Sequence, residues 1–196
     1  MTTKTVFSLQ SNMISKEELT IMSDFILSDQ QLTMSKNVKK FESKFAEYIG
    51  SPYAVMVNSG SSANLLAFSA FTNRLNDTRK SVLIPAVCWS TSMWPIVQLG
   101  LKPIIVDTDP DTLQIDLQDL ESKITPDCVA IMIVHILGNG PNMDRILELS
   151  TKHNLTIMED TCEAMGSEYK GKKLGTMGRF GMYSMFYSHH ITSIEG

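Results

Sequence analysis

The sequence predicts an α/β fold of three layers, α/β/α, around a mostly parallel sheet. Short apolar runs at 53–57, 82–84, 104–106, 129–134 and 155–158 are separated by helix-length segments. The runs lack the in-and-out alternation of half-exposed strands, as expected for strands covered on both faces. Polar residues gather just after the runs, at Asn58-Ser59-Gly60-Ser61-Ser62, Trp89-Ser90-Thr91, Asp107, His135 and Glu159-Asp160. In open α/β sheets, ligands bind beyond the carboxyl ends of the strands, so these five loops predict one site.

The elements follow in order. Ser15-Lys16-Glu17-Glu18 is a capping box, in which Ser15 bonds a first-turn N–H and Glu18 reaches back. Its helix is expected to run to about Leu27, with Leu19, Met22, Ile26 and Leu27 on one face. Val38, Phe41, Phe45, Tyr48 and Ile49 form a second helical stripe, stopped by Gly50. Further helices are expected at 63–72, 91–99, 117–124 and 143–153, a hairpin turn at Gly171 and a last strand at 182–186. Residues 1–35 read as an N-terminal helical segment, and 36–196 as one larger domain.

A chain of 196 residues is long enough for one substantial core. The formal charge of −4 comes with no dense Lys/Arg stripe, which argues against nucleic acid as a partner. Arg79-Lys80 and Lys170-Gly171-Lys172-Lys173 read as solvated turns. No apolar run approaches a membrane span or a secretion signal. Three cysteines, Cys88, Cys128 and Cys162, with no C-x-x-C spacing, suit a reducing compartment, so a cytoplasmic location is expected. The 13 methionines fall mostly in apolar runs and read as gap-filling core residues.

Candidate functional residues follow the strands. Gly60 allows a sharp turn, and the amides of Ser61 and Ser62 at a helix start can surround an anion; a plain helix cap uses the same residues. Trp89 can stack on a planar ring or serve as a half-buried packing residue. Asp160, beside Glu159, can hold a proton on a pyridine nitrogen, bind a metal or cap the next helix. His135 reads equally as a site residue and as a satisfied strand-end histidine, and His153 as a surface residue.

In their order, these landmarks resemble the sugar aminotransferase family (DegT/DnrJ/EryC1/StrS). The resemblance begins at Leu32-Thr33-Met34-Ser35 and Val38-x-x-Phe41-Glu42. It continues through Ser59-Gly60-Ser61, Pro85 with Trp89, Val106-Asp107, Val134-His135-x-x-Gly138, Glu159-Asp160 and Ser184. It implies the large domain of a fold type I pyridoxal-phosphate transferase, truncated here, with the C-terminal small domain absent from this chain. It also implies bound pyridoxal 5′-phosphate or pyridoxamine 5′-phosphate, touched by Gly60, Ser61, Trp89, Asp160, Glu163 and Ser184, and a homodimer.

One position departs from the family pattern. The family carries a catalytic lysine five residues after the serine and before Glu-Gly; here Ser184 and Glu195-Gly196 keep that frame around His189. Lysine bonds covalently to the cofactor aldehyde, whereas imidazole only moves protons. His189, beside His190, and acidic Glu163 in place of a glutamine resemble the family's 3-dehydratase branch. That branch implies loss of the C3 hydroxyl from a nucleotide-linked 4-keto-6-deoxy sugar, with glutamate as amino donor, in deoxysugar and lipopolysaccharide biosynthesis. His189 is then the base, and no metal is expected. Two alternatives are an iron–sulfur dehydrase of a CDP-linked keto-sugar, for which Cys162 is one candidate ligand, and a homologue without catalysis.

Overall fold

The computed structural model describes residues 14–75 and 78–193, so Glu195 and Gly196 of the motif frame lie outside the described residues. Helices α1 (Lys16–Leu27) and α2 (Lys36–Ile49) precede α3 (Gly60–Thr72). Strand and helix then alternate through β1 (Ser81–Pro85), α4 (Ser90–Gln98), β2 (Lys102–Val106), α5 (Leu117–Lys123) and β3 (Cys128–Val134). A 3-10 turn (Ile136–Gly138), α6 (Met143–His153) and β4 (Thr156–Asp160) follow. A hairpin of β5 (Glu168–Tyr169) and β6 (Lys172–Lys173) leads to β7 (Phe180–Met182).

Five strands form one sheet in the order β2-β1-β3-β4-β7, every neighbouring pair parallel. Successive side chains of a strand point to opposite faces, and the two faces carry separate cores. Val82, Ile84, Ala130, Met132 and Met158 meet Ala67, Phe68 and Phe71 of α3 and Ile96 of α4. Leu83, Ile131, Ile133 and Ile157 meet Leu120 of α5 and Met143, Ile146 and Leu149 of α6. The expected α/β/α layering is therefore present, and four methionines, Met132, Met143, Met158 and Met182, fill it.

Local chemistry accounts for several boundaries. The capping box at α1 forms as expected, with Glu18 N–H donating to Ser15 Oγ and Ser15 N–H to Glu18 Oε2. The β5–β6 hairpin turns through Lys170 and Gly171, both at positive φ (50° and 77°), the backbone of a type I′ turn.

Three expectations need correction, and one helix face stands exposed. Residues 53–57 are not a strand: Tyr53 is 83% exposed, and Met56 N–H donates to Glu42 Oε1 at 2.9 Å instead of to a ladder. A strand exists only through its neighbour, and among the described residues none pairs with this run. The last strand lies at 180–182 rather than 182–186, because the backbone beyond Met182 turns into the loop that carries Ser184. The apolar face of α1 is unburied, with Leu19, Met22, Ile26 and Leu27 all exposed. Arg79 is no solvated turn: its guanidinium donates to the carbonyls of Cys128 and Asn154 at 2.8 and 3.1 Å, tying the entry of β1 to β3 and to the end of α6.

Candidate active site

Asp160 ends β4 on the face covered by α3 and α4, because it shares the parity of Met158. Ser92, in the first turn of α4, donates its hydroxyl to Asp160 Oδ2 at 2.7 Å. Asn64 of α3 donates its amide to the same oxygen at 3.0 Å, and Cys162 N–H donates to Oδ1 at 3.1 Å. The side chain is buried, and among the described residues no cationic side chain lies within ion-pair distance of it. A carboxylate has about four acceptor positions; the three donors take two on Oδ2 and one on Oδ1, and the Cys162 thiol, a weak donor, also lies within hydrogen-bond range. A buried carboxylate whose last acceptor position faces only a weak thiol donor fits a single cationic N–H, such as that of a protonated pyridine.

Glu159, one residue earlier, faces the other way. Its carboxylate accepts from Gly175, Met177 and Gly178 N–H at 2.8, 2.8 and 2.5 Å and meets His135 Nε2 at 3.0 Å. Burial pushes this carboxyl up, but His135 and the surrounding amides outweigh burial and hold it below the usual carboxylate range. His135 is therefore a structural partner of Glu159. Asp107 also stands apart from the site: its N–H donates to Asp119 Oδ2 and its Oδ1 accepts from Thr108, all within its own segment.

The anion-binding corner is built at the start of α3. Ser59 caps the helix through the Ser62 N–H at 3.1 Å, so the Ser62 amide, expected to face an anion, is already used. The N–H groups of Gly60 and Ser61 precede the first intrahelical bond, from Ala63 N–H to Ser59 O, and remain for a ligand. Ser61 Oγ donates to Thr91 Oγ1 at 2.8 Å, joining this corner to the loop of Trp89. Gly60 sits where a Cβ would come within 2.7 Å of Cys162 Sγ and 2.8 Å of Ser184 Cβ, so the corner closes against the segment leading to His189.

Trp89 stands just before α4 and is 73% exposed, which removes the packing alternative and leaves its ring available. Glu163 is exposed and accepts the Leu137 N–H at 2.9 Å. His189 is half-buried, its ring set edge-on to Phe186 at 5.9 Å between centroids. Burial lowers its pKa below the usual imidazole value, while the charges of Glu163 and Asp160 act in the opposite direction. His189 therefore lies within electrostatic reach of both carboxylates, and its neutral form is favoured near pH 7. His190 is exposed.

Contacts link Gly60 to Ser184, Ser61 to Thr91 near Trp89, and Asp160 to α3 and α4, and the charges of Glu163 and Asp160 act on His189. Sequence reading gave Asn64 no role and did not single out Ser92. Each is a buried polar residue at the head of an apolar helical stripe, Asn64 with Ala67, Phe68 and Phe71, and Ser92 with Pro95 and Ile96. That pattern was the available signal. Burial first, and Asp160 second, push the thiols of Cys88 and Cys162 up, away from the thiolate that metals bind. Among the described residues no group of three or more His, Cys, Asp or Glu is arranged to hold a metal. Among them, too, no helix is long and apolar enough to cross a membrane.

Residues 13–196 match the DegT/DnrJ/EryC1/StrS aminotransferase family. The chain is 44% identical over 193 residues to a GDP-4-keto-6-deoxy-D-mannose 3-dehydratase of Yersinia pseudotuberculosis, covering 97% of this chain and 49% of that protein. It superposes with a TM-score of 0.88 on the E. coli GDP-4-keto-6-deoxy-D-mannose-3-dehydratase with bound hydrated PLP, at 38% identity, covering 97% of this chain and 49% of that one. A GDP-4-keto-6-deoxymannose-3-dehydratase with a trapped PLP-glutamate geminal diamine gives a TM-score of 0.90 at 38% identity, over 97% of this chain and 50% of that one. The chain spans about half the length of the curated relatives it matches.

Proposed function

The chain belongs to the DegT/DnrJ/EryC1/StrS aminotransferase family, and within it we propose a pyridoxal-phosphate-dependent sugar 3-dehydratase, a lyase. Its substrate is a nucleotide-linked 4-keto-6-deoxy sugar with glutamate as amino donor, and its place is deoxysugar and lipopolysaccharide biosynthesis. One observation carries the reading. An imidazole, His189, occupies the family's lysine position while the anion corner, Asp160 and Ser184 keep their places around it. The likeness to 3-dehydratases supports the same reading.

Pyridoxal or pyridoxamine phosphate, when bound, supplies an electron sink for a carbon that loses a proton next to its amine. The residues of this chain then divide the work. The amides of Gly60 and Ser61 hold the phosphate. Asp160 keeps the proton on the ring nitrogen, and Trp89 covers the ring. Glu163 would face the ring hydroxyl, and Ser184 would support the phosphate corner beside Gly60. His189 takes the proton at the C4′ carbon, and the C3 hydroxyl then leaves the sugar. Because His189 offers no primary amine, the cofactor stays non-covalently held. The balance is glutamate and keto-sugar in, 2-oxoglutarate, ammonia and 3-deoxy-4-keto sugar out.

The described part of residues 36–196 belongs, in this reading, to the cofactor-binding large domain, with α1 (Lys16–Leu27) preceding it. Exposed Tyr53, Val55, Leu65, Leu66, Trp89 and Trp94 support burial against more protein, and we include a homodimer in the proposal. Three free cysteines support a cytoplasmic location.

The test incubates the full-length protein with glutamate and a nucleotide-linked 4-keto-6-deoxy sugar. Equal amounts of ammonia and 3-deoxy sugar, identified by mass spectrometry, are expected. An amino sugar that retains its C3 hydroxyl as the main product overturns the proposal in favour of transamination.

A further inference from the structure

We infer that Asn64 and Ser92 are positioning residues, which pin the Asp160 carboxylate so that its last acceptor position on Oδ1 faces the ring nitrogen of the cofactor. The inference rests on the proposed pyridoxal-phosphate reading and extends it to two residues outside the cofactor's own contacts.

The geometry is specific. Both donors reach the same oxygen, Oδ2, at 3.0 Å from Asn64 and 2.7 Å from Ser92, and they come from two different helices. Rotation of the carboxylate would break both bonds at once, as well as the Cys162 N–H bond to Oδ1 at 3.1 Å. The other side of the carboxylate is therefore presented in one orientation, before any ligand binds.

The apolar packing around these two residues does not itself call for polar side chains. Each heads a stripe that is otherwise apolar, and both are buried, Asn64 at 2% and Ser92 at 0% exposure. A carboxylate only accepts, so the Asn64 amide must turn its NH2 group toward Asp160. Its Oδ1 is then left buried with no hydrogen-bond partner among the described residues. An unmet buried acceptor costs stability; a leucine of similar size would remove that cost but would leave Asp160 Oδ2 without this donor. An asparagine kept in that position serves the carboxylate rather than the core.

The test uses the full-length holoenzyme loaded with pyridoxal phosphate labelled with 15N in the ring. The variants are Asn64→Leu, Ser92→Ala and the conservative Ser92→Thr, each checked by thermal melting. We expect Asn64→Leu and Ser92→Ala to keep the fold, melting modestly below the parent because Asp160 Oδ2 loses a donor, and still to bind the cofactor. Their 15N signal should move from the pyridinium toward the neutral pyridine position, and kcat should fall roughly tenfold or more with little change in KM. Ser92→Thr, which keeps the hydroxyl, should restore both readouts. Should Asn64→Leu fail to fold, Ser92→Ala carries the test, since it removes a single oxygen. A pyridinium signal and a kcat within about twofold of the parent in the variants overturn the inference. A neutral pyridine signal in the parent itself is a different failure, because it removes the reading that Asp160 faces the ring nitrogen.

Discussion

Gly60 and Ser184 are in direct contact, so close that a methyl group added at Gly60 would lie 2.8 Å from Ser184 Cβ. The contact presses the first turn of α3, with its free amides, against the segment that leads to His189. It links the start of α3 to the loop that carries His189 through packing alone.

Gly60→Ala should therefore damage the site more than the fold. Overpacking at one buried point costs roughly 1–3 kcal/mol, and the structure relieves it by moving the helix start or Ser184. Either movement misplaces the amides of Gly60 and Ser61. Titration with pyridoxal phosphate, followed at its visible band, should show affinity lowered about tenfold or more. Unchanged affinity would show that the corner does not hold the phosphate.

Asp160→Asn should keep the fold but lose activity by about 10²-fold or more, since an amide cannot hold the pyridine nitrogen protonated. The amide also sets an NH2 group against one of the donors around Asp160, from Asn64, Ser92 or Cys162. A modest fall in melting temperature is thus expected beside the large fall in kcat. Near-normal turnover would make Asp160 a packing residue.

His189→Asn should abolish elimination, by about 10²- to 10⁴-fold, while cofactor binding stays near that of the parent. Borohydride treatment of the parent holoenzyme should leave no cofactor fixed to the chain. His189→Lys should make such fixation possible and shift products from ammonia and 3-deoxy sugar toward amino sugar. Elimination at the parent rate in His189→Asn would remove His189 as the base.

The pH profile carries a sign. In the proposed role His189 acts as a base when neutral, and burial lowers its pKa below 6.5. The rate should therefore be fully developed above pH 6.5 and be lost as pH falls through the lowered pKa. Glu163 raises that pKa, so Glu163→Gln should move the acid limb of kcat to lower pH. Because Gln keeps an oxygen for the Leu137 N–H, the loop should hold. An acid limb that does not move, or moves up, would separate Glu163 from His189.

Glu159→Gln should act on stability rather than on chemistry. It alters a fully buried contact with His135 and sets an NH2 group toward amides that need an acceptor. A loss of about 1–3 kcal/mol is expected by chemical denaturation of the full-length protein. In the parent, the depressed pKa of Glu159 stabilises the fold above about pH 4.5, and that stability is lost as pH falls through the folded pKa. A variant as stable as the parent would show that the pair contributes nothing net.

The sequence by itself determined the layered α/β fold, the order of the elements from α3 to β4 and the identity of the family. Those features are written in local period, in caps such as Ser15 and Ser59, and in motifs of adjacent residues, all of which act within a few positions along the chain. The motif around His189 is local in the same way, since it stands in a frame set by Ser184 only five residues away. Tertiary structure decided what depends on neighbours distant in sequence. The run at 53–57 has strand composition, yet no ladder partner among the described residues makes it one. Glu159 and Asp160 are two adjacent acids on paper. The alternation of β4 sends one to His135 and the turn at 175–178, and the other to Asn64 and Ser92. Their separate roles, and those of Asn64 and Ser92, arise only when two helices and a strand come together on one face of the sheet.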